Sequence, residues 1–132
     1  LKKKATRDDP SRVINIGSID GIGTPVFETY PYSASKASVH HMTRVLAARL
    51  VRENILVNAI APGPFPSDML GSAVAHNYEG IISRNPVHRM GRAEDVGGLA
   101  LYLSSKAGSY TVGETITCDG GTISATGHDL SE

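Results

Sequence analysis

The chain contains no tryptophan and one cysteine, Cys118, among its 132 residues. A single cysteine excludes an intrachain disulfide and fits a reducing compartment. Neither sign of charge is in excess, since 13 Lys and Arg face 13 Asp and Glu. Without a field of one sign, nothing draws the chain to nucleic acid or to an anionic membrane. The basic run Lys2-Lys3-Lys4 is followed by Asp8 and Asp9 and reads as a solvated helix end. No apolar run approaches the ~18 residues of a membrane span. No secretory or lipidation signal is visible either, so no membrane association and a cytoplasmic location are expected. Repeats and low-complexity segments are also missing. The five histidines show no metal-ligand spacing and read as surface or helix residues. The chain opens on Leu1 rather than Met, and is expected to begin inside a longer polypeptide.

What remains is the composition of an ordinary globular domain, 40% hydrophobic and 20% charged. Arg12-Val-Ile-Asn-Ile16 is short, β-branched and bounded by Pro10 and Gly17, which predicts a buried strand. Gly17 to Pro31 reads as loop. Tyr32 to about Arg52 predicts a long helix, with Val39, Met42, Leu46 and Leu50 recurring at three- and four-residue steps. Pro31 suits its first turn, and Arg49 and Arg52 suit its last. Ile55 to Ile60 is a near-continuous apolar run, the pattern of a strand covered on both faces of a parallel sheet. Ala61-Pro62-Gly63-Pro64 ends it. Residues 64 to about 91 read as a long irregular connection, of the kind that serves as a lid. Ala93 to about Ser105 predicts a second helix with Val96, Leu99, Ala100 and Leu103 on one face. Glu114 to Cys118 is a last strand, stopped by Asp119-Gly120-Gly121.

Strands alternating with helices predict an α/β fold, part of a doubly wound parallel sheet. Three strands make a thin sheet, and one bare edge would leave backbone groups uncovered. The pattern therefore suggests that further strands are missing.

The sharpest chemical feature is Tyr32-Ser-Ala-Ser-Lys36. On a helix, positions i and i+4 share a face. An ammonium ~5 Å from a phenol, at an effective dielectric of about 20, favours the phenolate by about 3 kcal/mol. That is the scale of help a phenol needs to move protons near neutrality. Taken alone, this spacing also fits a surface lysine lying over a tyrosine ring. Context narrows the choice. Ser18 follows the first strand, and Pro62-Gly63 ends the next at the same sheet edge. Open α/β sheets bind ligands beyond the carboxyl ends of their strands. The plain alternatives are a turn serine and a strand terminator.

Together, Asn15-Ile16-Gly17-Ser18, Tyr32-x-x-x-Lys36, Val57-Asn58-Ala59-Ile60-Ala61-Pro62-Gly63 and Asp119-Gly120-Gly121 resemble the second half of the short-chain dehydrogenase/reductase family. The match spans about residues 12 to 121. Ala61 to Ser67 and Met90-Gly91-Arg92 are most similar to 3-oxoacyl reductases, especially the rhamnolipid type. The resemblance implies a partial Rossmann-like fold and hydride transfer between NAD(P)H and a small-molecule carbonyl or alcohol, such as a 3-oxoacyl thioester. It implies that Tyr32 is the general acid, and that Lys36 supports it and binds the nicotinamide ribose. Ser18 would orient the carbonyl. Pro62, Gly63, Phe65 and Ser67 would line the cofactor, and Met69 the substrate. Residues 66 to 90 would form a mobile substrate-binding region. NADP(H) is expected ahead of NAD(H), and the full-length parent is expected to be a homodimer or homotetramer.

One segment imitates what is missing. Gly17-x-x-x-Gly21-x-Gly23 follows a strand like a phosphate-binding glycine loop, but such a loop opens a helix. Here Thr24-Pro25-Val26-Phe27 follows, and no helical period starts before Pro31. The true glycine loop, the residue selecting NAD or NADP, and the family's catalytic asparagine are expected upstream of residue 1. Asn15 and Asn58 lie in strand patterns and are poor substitutes. The isolated chain is therefore expected to be inactive, and the alternative function is a non-catalytic fragment that folds or associates with other subunits.

Overall fold

Strand β2 (Ile55–Pro62) is the centre of the molecule, because its side chains are apolar on both faces. Val57, Ala59, Ile60 and Ala61 have 0% exposure. The computed structural model describes residues 1–67 and 78–125. On either side of β2 lie β1 (Ser11–Ile16) and β3 (Thr115–Cys118), both parallel to it, in the order β1-β2-β3. Ser11 pairs with Ile55 and Ile16 with Ile60, while Ala59 pairs with Thr115 and Pro62 with Cys118. β1 is only half-buried, and Ile16 is exposed. The sheet is therefore thin on that side, as the strand count predicts.

Buried polar groups tie these strands together. The Asn58 side chain donates to the Thr111 carbonyl at 2.8 Å and accepts the Glu114 N–H at 3.0 Å. It splices β2 to the segment entering β3, which satisfies an otherwise costly buried amide.

Helix α1 (Tyr30–Leu50) connects β1 to β2, with Pro31 in its first turn. It ends in a 3-10 turn, Val51–Glu53, closed by Asn54 in the left-handed region at φ 56°. The packed face differs from the predicted one. His40, Thr43 and Ala47 are its buried residues, whereas Met42 is 47% exposed. Small and polar residues let the helix approach the sheet closely, and hydrogen bonds replace apolar contact there. Leu46 and Leu50 still pack against the Ala47, Ile55 and Val57 cluster.

The segment 64–91 is not irregular throughout. Helix α2 (Tyr78–Arg84) lies within it. Seven residues with Gly80 inside are too few to show a period, and glycine costs about 1 kcal/mol in a helix. Lys2-Lys3-Lys4 form a turn instead of a helix end, and Lys2 pairs with Glu53.

Helix α3 (Ala93–Ser104) follows the predicted face, with Leu103 1% exposed. Asp95 in its first turn accepts the Arg92 N–H at 2.8 Å. It also takes both arms of the Arg89 guanidinium, at 2.7 and 3.0 Å. The Arg89 bonds, followed by the Arg92 N–H, hold its carboxyl down at about 2. A Cβ on Gly98 would meet nothing within 4 Å. Gly98→Ala is accordingly expected to stabilise the fold by about 0.5–1 kcal/mol through helix propensity, read as a higher Tm in a thermal scan.

Candidate active site

The carboxyl end of β1 delivers Ser18, which is 7% exposed. Ser18 caps a 3-10 turn, Ile19–Gly21, and its Oγ accepts the Asp20 N–H at 3.2 Å. The hydroxyl proton is thereby left to point elsewhere. The chain then loops to α1, whose first two turns present Tyr32 and Lys36. Both are half-buried. The Lys36 ammonium lies 5.5 Å from the centre of the Tyr32 ring. It also donates to the Ile16 carbonyl at 3.1 Å.

Three polar contacts register α1 on β1. Asn15 Nδ2 donates to Thr43 Oγ1 at 2.9 Å, Lys36 holds the Ile16 carbonyl, and the Ser18 N–H donates to His40 Nε2 at 3.3 Å. His40 is the helix residue expected of it, but at 4% exposure it is buried and not on the surface. Burial pushes its pKa below the usual value of 6.5, and the nearby Arg44 and Lys36 charges act the same way. A backbone hydrogen bond with Gly21 opposes them.

The glycines of the imitation phosphate loop have a packing cause. A Cβ on Gly17 would lie 2.0 Å from His40 Nε2. One on Gly21 would lie 2.6 Å from the backbone of Lys36 and Ala37. The turn and the helix meet backbone to backbone, and only glycine permits it. Gly23 is unlike these two, since its Cβ would meet only Ile123 at 3.6 Å.

Pro62 and Gly63 end β2 at the same sheet edge. The Gly63 N–H donates to the Cys118 carbonyl at 3.0 Å, and a Cβ on Gly63 would stand 2.6 Å from Asp119 Cβ. The Pro62-Gly63 and Asp119-Gly120-Gly121 motifs thus pack on one another. Asp119 also accepts the Gly121 N–H at 3.0 Å and the Ile123 N–H at 2.9 Å. Phe65 packs on Gly91, where an added Cβ would lie 2.4 Å from its ring. With Arg89, Asp95 and Cys118 it lines an open cleft at the end of β3. Ser67 is exposed, and Met69 lies outside the described residues. A second cleft is lined by Pro25, Val26, Phe27 and Tyr30, adjoining the Ser18 turn and the start of α1. Val26 and Tyr30 are strongly exposed there.

Sequence reasoning missed two residues. His40 stands four positions after Lys36 on the face that bears Tyr32, and that spacing was the available signal. Asn85 is 3% exposed and joins the end of α2 to the Asp119 turn, donating to the Asp119 carbonyl at 2.8 Å and to Thr122 Oγ1 at 3.0 Å. The Asn85-Pro86 pair marked only a turn. Among the described residues, no three His, Cys, Asp or Glu gather as a metal site, and no helix is long and apolar enough to cross a membrane.

Known proteins bear on this arrangement. Residues 2–123 match the family model described as enoyl-(acyl carrier protein) reductase. The rhamnolipids biosynthesis 3-oxoacyl-[acyl-carrier-protein] reductase of Pseudomonas aeruginosa is 42% identical, over 92% of this chain and 48% of the relative. The 3-oxoacyl-[acyl-carrier-protein] reductase FabG of Thermotoga maritima is 38% identical, over 84% of this chain and 45% of its own length. The chain thus spans about half the length of the curated relatives it matches. Among solved structures, the Pseudomonas aeruginosa RhlG/NADP active-site complex superposes with a TM-score of 0.86 at 42% identity, covering 92% of this chain and 48% of that one. A 7α-hydroxysteroid dehydrogenase complexed with NADH and 7-oxo glycochenodeoxycholic acid gives 0.81 at 30% identity, over 92% of this chain and 48% of its own. A family model covering nearly the whole chain, together with these relatives, establishes that the chain belongs to the short-chain dehydrogenase/reductase family.

Proposed function

We propose that this chain is the C-terminal, catalytic half of an NADP(H)-dependent carbonyl reductase acting on a 3-oxoacyl thioester. The observation that carries the reading is the placement of Lys36. One ammonium spans the Tyr32 ring and the last carbonyl of β1, two residues before Ser18. In this reading the Ser18 hydroxyl donates a hydrogen bond to the substrate carbonyl. Tyr32 delivers the proton to the same oxygen. The Lys36 charge stabilises the phenolate left behind.

The donor set fits one end of a nicotinamide cofactor. An ammonium and a phenol stand half-exposed beyond a strand end, where a ribose diol needs such partners. Tyr32, Lys36, Pro62 and Gly63 would hold that end, and when bound the nicotinamide supplies the hydride. The described residues offer no comparable fit for the pyrophosphate, because Gly17 and Gly21 are consumed by packing against α1. The preference for NADP(H) is supported by the NADP complex of the 42% identical neighbour. The 3-oxoacyl substrate is supported by the two reductases named above and by the apolar cleft around Val26, Phe27 and Tyr30. The exposed Leu101 and Tyr110 support homodimer or homotetramer assembly of the full-length protein.

The second reading, a fragment without catalysis, is favoured by β1, which pairs only with β2 and leaves its outer edge bare among the described residues. Fluorescence titration separates the two. The 132-residue chain is expected to show no saturation by NADPH or NADH up to hundreds of micromolar. The full-length protein is expected to bind NADPH and to oxidise it when a 3-oxoacyl thioester is added. Saturable low-micromolar binding by the isolated chain would overturn the division into halves. A full-length protein that never consumes the cofactor would overturn the reductase reading.

A further inference from the structure

We propose that His40 is a positioning residue for the reaction, whose Nε2 accepts the Ser18 N–H and thereby sets where the Ser18 hydroxyl stands relative to helix α1. Its catalytic consequence rests on the reductase reading, whereas the contact itself does not.

The contact joins two buried groups, 4% and 7% exposed, at 3.3 Å. The space around it is made for an imidazole. Gly17 leaves room for Nε2 and Gly21 for Cε1, where a Cβ would come within 2.0 and 2.9 Å. Tyr32, Lys36 and His40 stand at i, i+4 and i+8, so one helix face carries the phenol, the ammonium and this acceptor. Lys36 holds the residue two before Ser18 through the Ile16 carbonyl, and His40 holds Ser18 itself. Between them they fix both sides of the Gly17 link. No part of the proton-transfer scheme uses His40 directly.

Accepting an N–H requires a lone pair, so the imidazole must be neutral with its proton on Nδ1. Its surroundings favour that state. Burial comes first, and Arg44 and Lys36 on the same helix also disfavour a further positive charge, against the Gly21 backbone bond. The packed turn contributes Asp20, whose carboxyl is itself raised by burial. Strand β1 contributes only Arg12, at its opposite end. The folded pKa is below the unfolded one, so the unfolded state binds more protons as pH falls through about 6.5. Stability then drops with falling pH, and the imidazolium can no longer hold Ser18.

The test uses the full-length protein with NADPH and a 3-oxoacyl thioester. His40→Leu keeps bulk and removes the acceptor. It should lower kcat by about tenfold, the scale of a small misplacement of a catalytic group, with the KM for NADPH little changed. His40→Gln restores an acceptor that cannot titrate. It should recover most of the loss and abolish an acid limb that the wild type shows below about pH 6.5. A fully active His40→Leu, or a His40→Gln as impaired as His40→Leu with the acid limb intact, would overturn the proposal. Nitrogen NMR of histidine-labelled protein reads the contact without turnover. The expected signature is an unprotonated Nε2 at neutral pH, with the Ser18 amide shifting as His40 titrates. A protonated Nε2 at neutral pH would overturn it. If the wild type consumes no cofactor, the reductase reading fails, and the NMR result still decides the contact.

Discussion

Tyr32→Phe in the full-length protein is expected to lower turnover by about 10²–10⁴-fold, the contribution of a positioned general acid, while leaving NADPH binding within a few-fold of wild type. The substitution removes one oxygen and keeps the ring over which the Lys36 ammonium lies at 5.5 Å. The hydrogen bond from Lys36 to the Ile16 carbonyl is untouched, and so is the contact between Ser18 and His40. Helix α1 should therefore keep its register, and the loss should fall on kcat. Steady-state kinetics with a 3-oxoacyl thioester, paired with cofactor fluorescence, check both halves of the expectation. Retained activity would remove Tyr32 from the chemistry, and a variant that no longer binds cofactor would make its role one of binding.

Gly21→Ala is the second large effect, and it separates two explanations of the same glycine. The added Cβ would lie 2.6 Å from Lys36 C and Ala37 N. These are backbone atoms of α1 and cannot rotate away, so the turn and the helix must part. Overpacking of this kind costs about 1–3 kcal/mol. The displaced helix is the one that carries Tyr32 and Lys36, and a shift near 1 Å is enough for a loss of about 10²-fold in rate. Thermal unfolding should show a lowered Tm, and kcat should fall by a larger factor than NADPH affinity, because Tyr32 and Lys36 hold only the nicotinamide end. If Gly21 were part of a phosphate-binding loop, the loss would appear chiefly as weaker cofactor binding with stability preserved. Gly23→Ala is the internal control, since its Cβ would make ordinary contact with Ile123.

Much of the fold was legible because local chemistry and fold agree. Ile55 to Ile60 is apolar at every position but Asn58, and such a run is at rest only between two covering layers. Tyr32 and Lys36 were legible as a pair, because helix geometry alone places i beside i+4. The glycine-rich segment could be separated from a phosphate loop, because no helical period followed it. The packed face of α1 was not legible. Met42 fits the hydrophobic period and is 47% exposed, while polar Thr43 is fully buried. Periodicity registers hydrophobicity, and this face is held by hydrogen bonds at Thr43, Lys36 and His40. Helix α2 escaped for a different reason, since seven residues are two turns at most.

By itself, the sequence determined the alternation of strands and helices, the burial of the central strand and the pairing of Tyr32 with Lys36. These follow from spacing along one chain, where the geometry of a helix or strand leaves little choice. Only the tertiary structure decided that Gly17 and Gly21 yield to His40 and to the backbone of α1, and that Gly63 packs on Asp119. His40 reaches Ser18, 22 residues away, and the Asn85 amide donates to Asp119 and Thr122, 34 and 37 residues away. Contacts at such separations depend on how the elements stack, and a hydrogen bond between distant side chains leaves no period in the sequence to find.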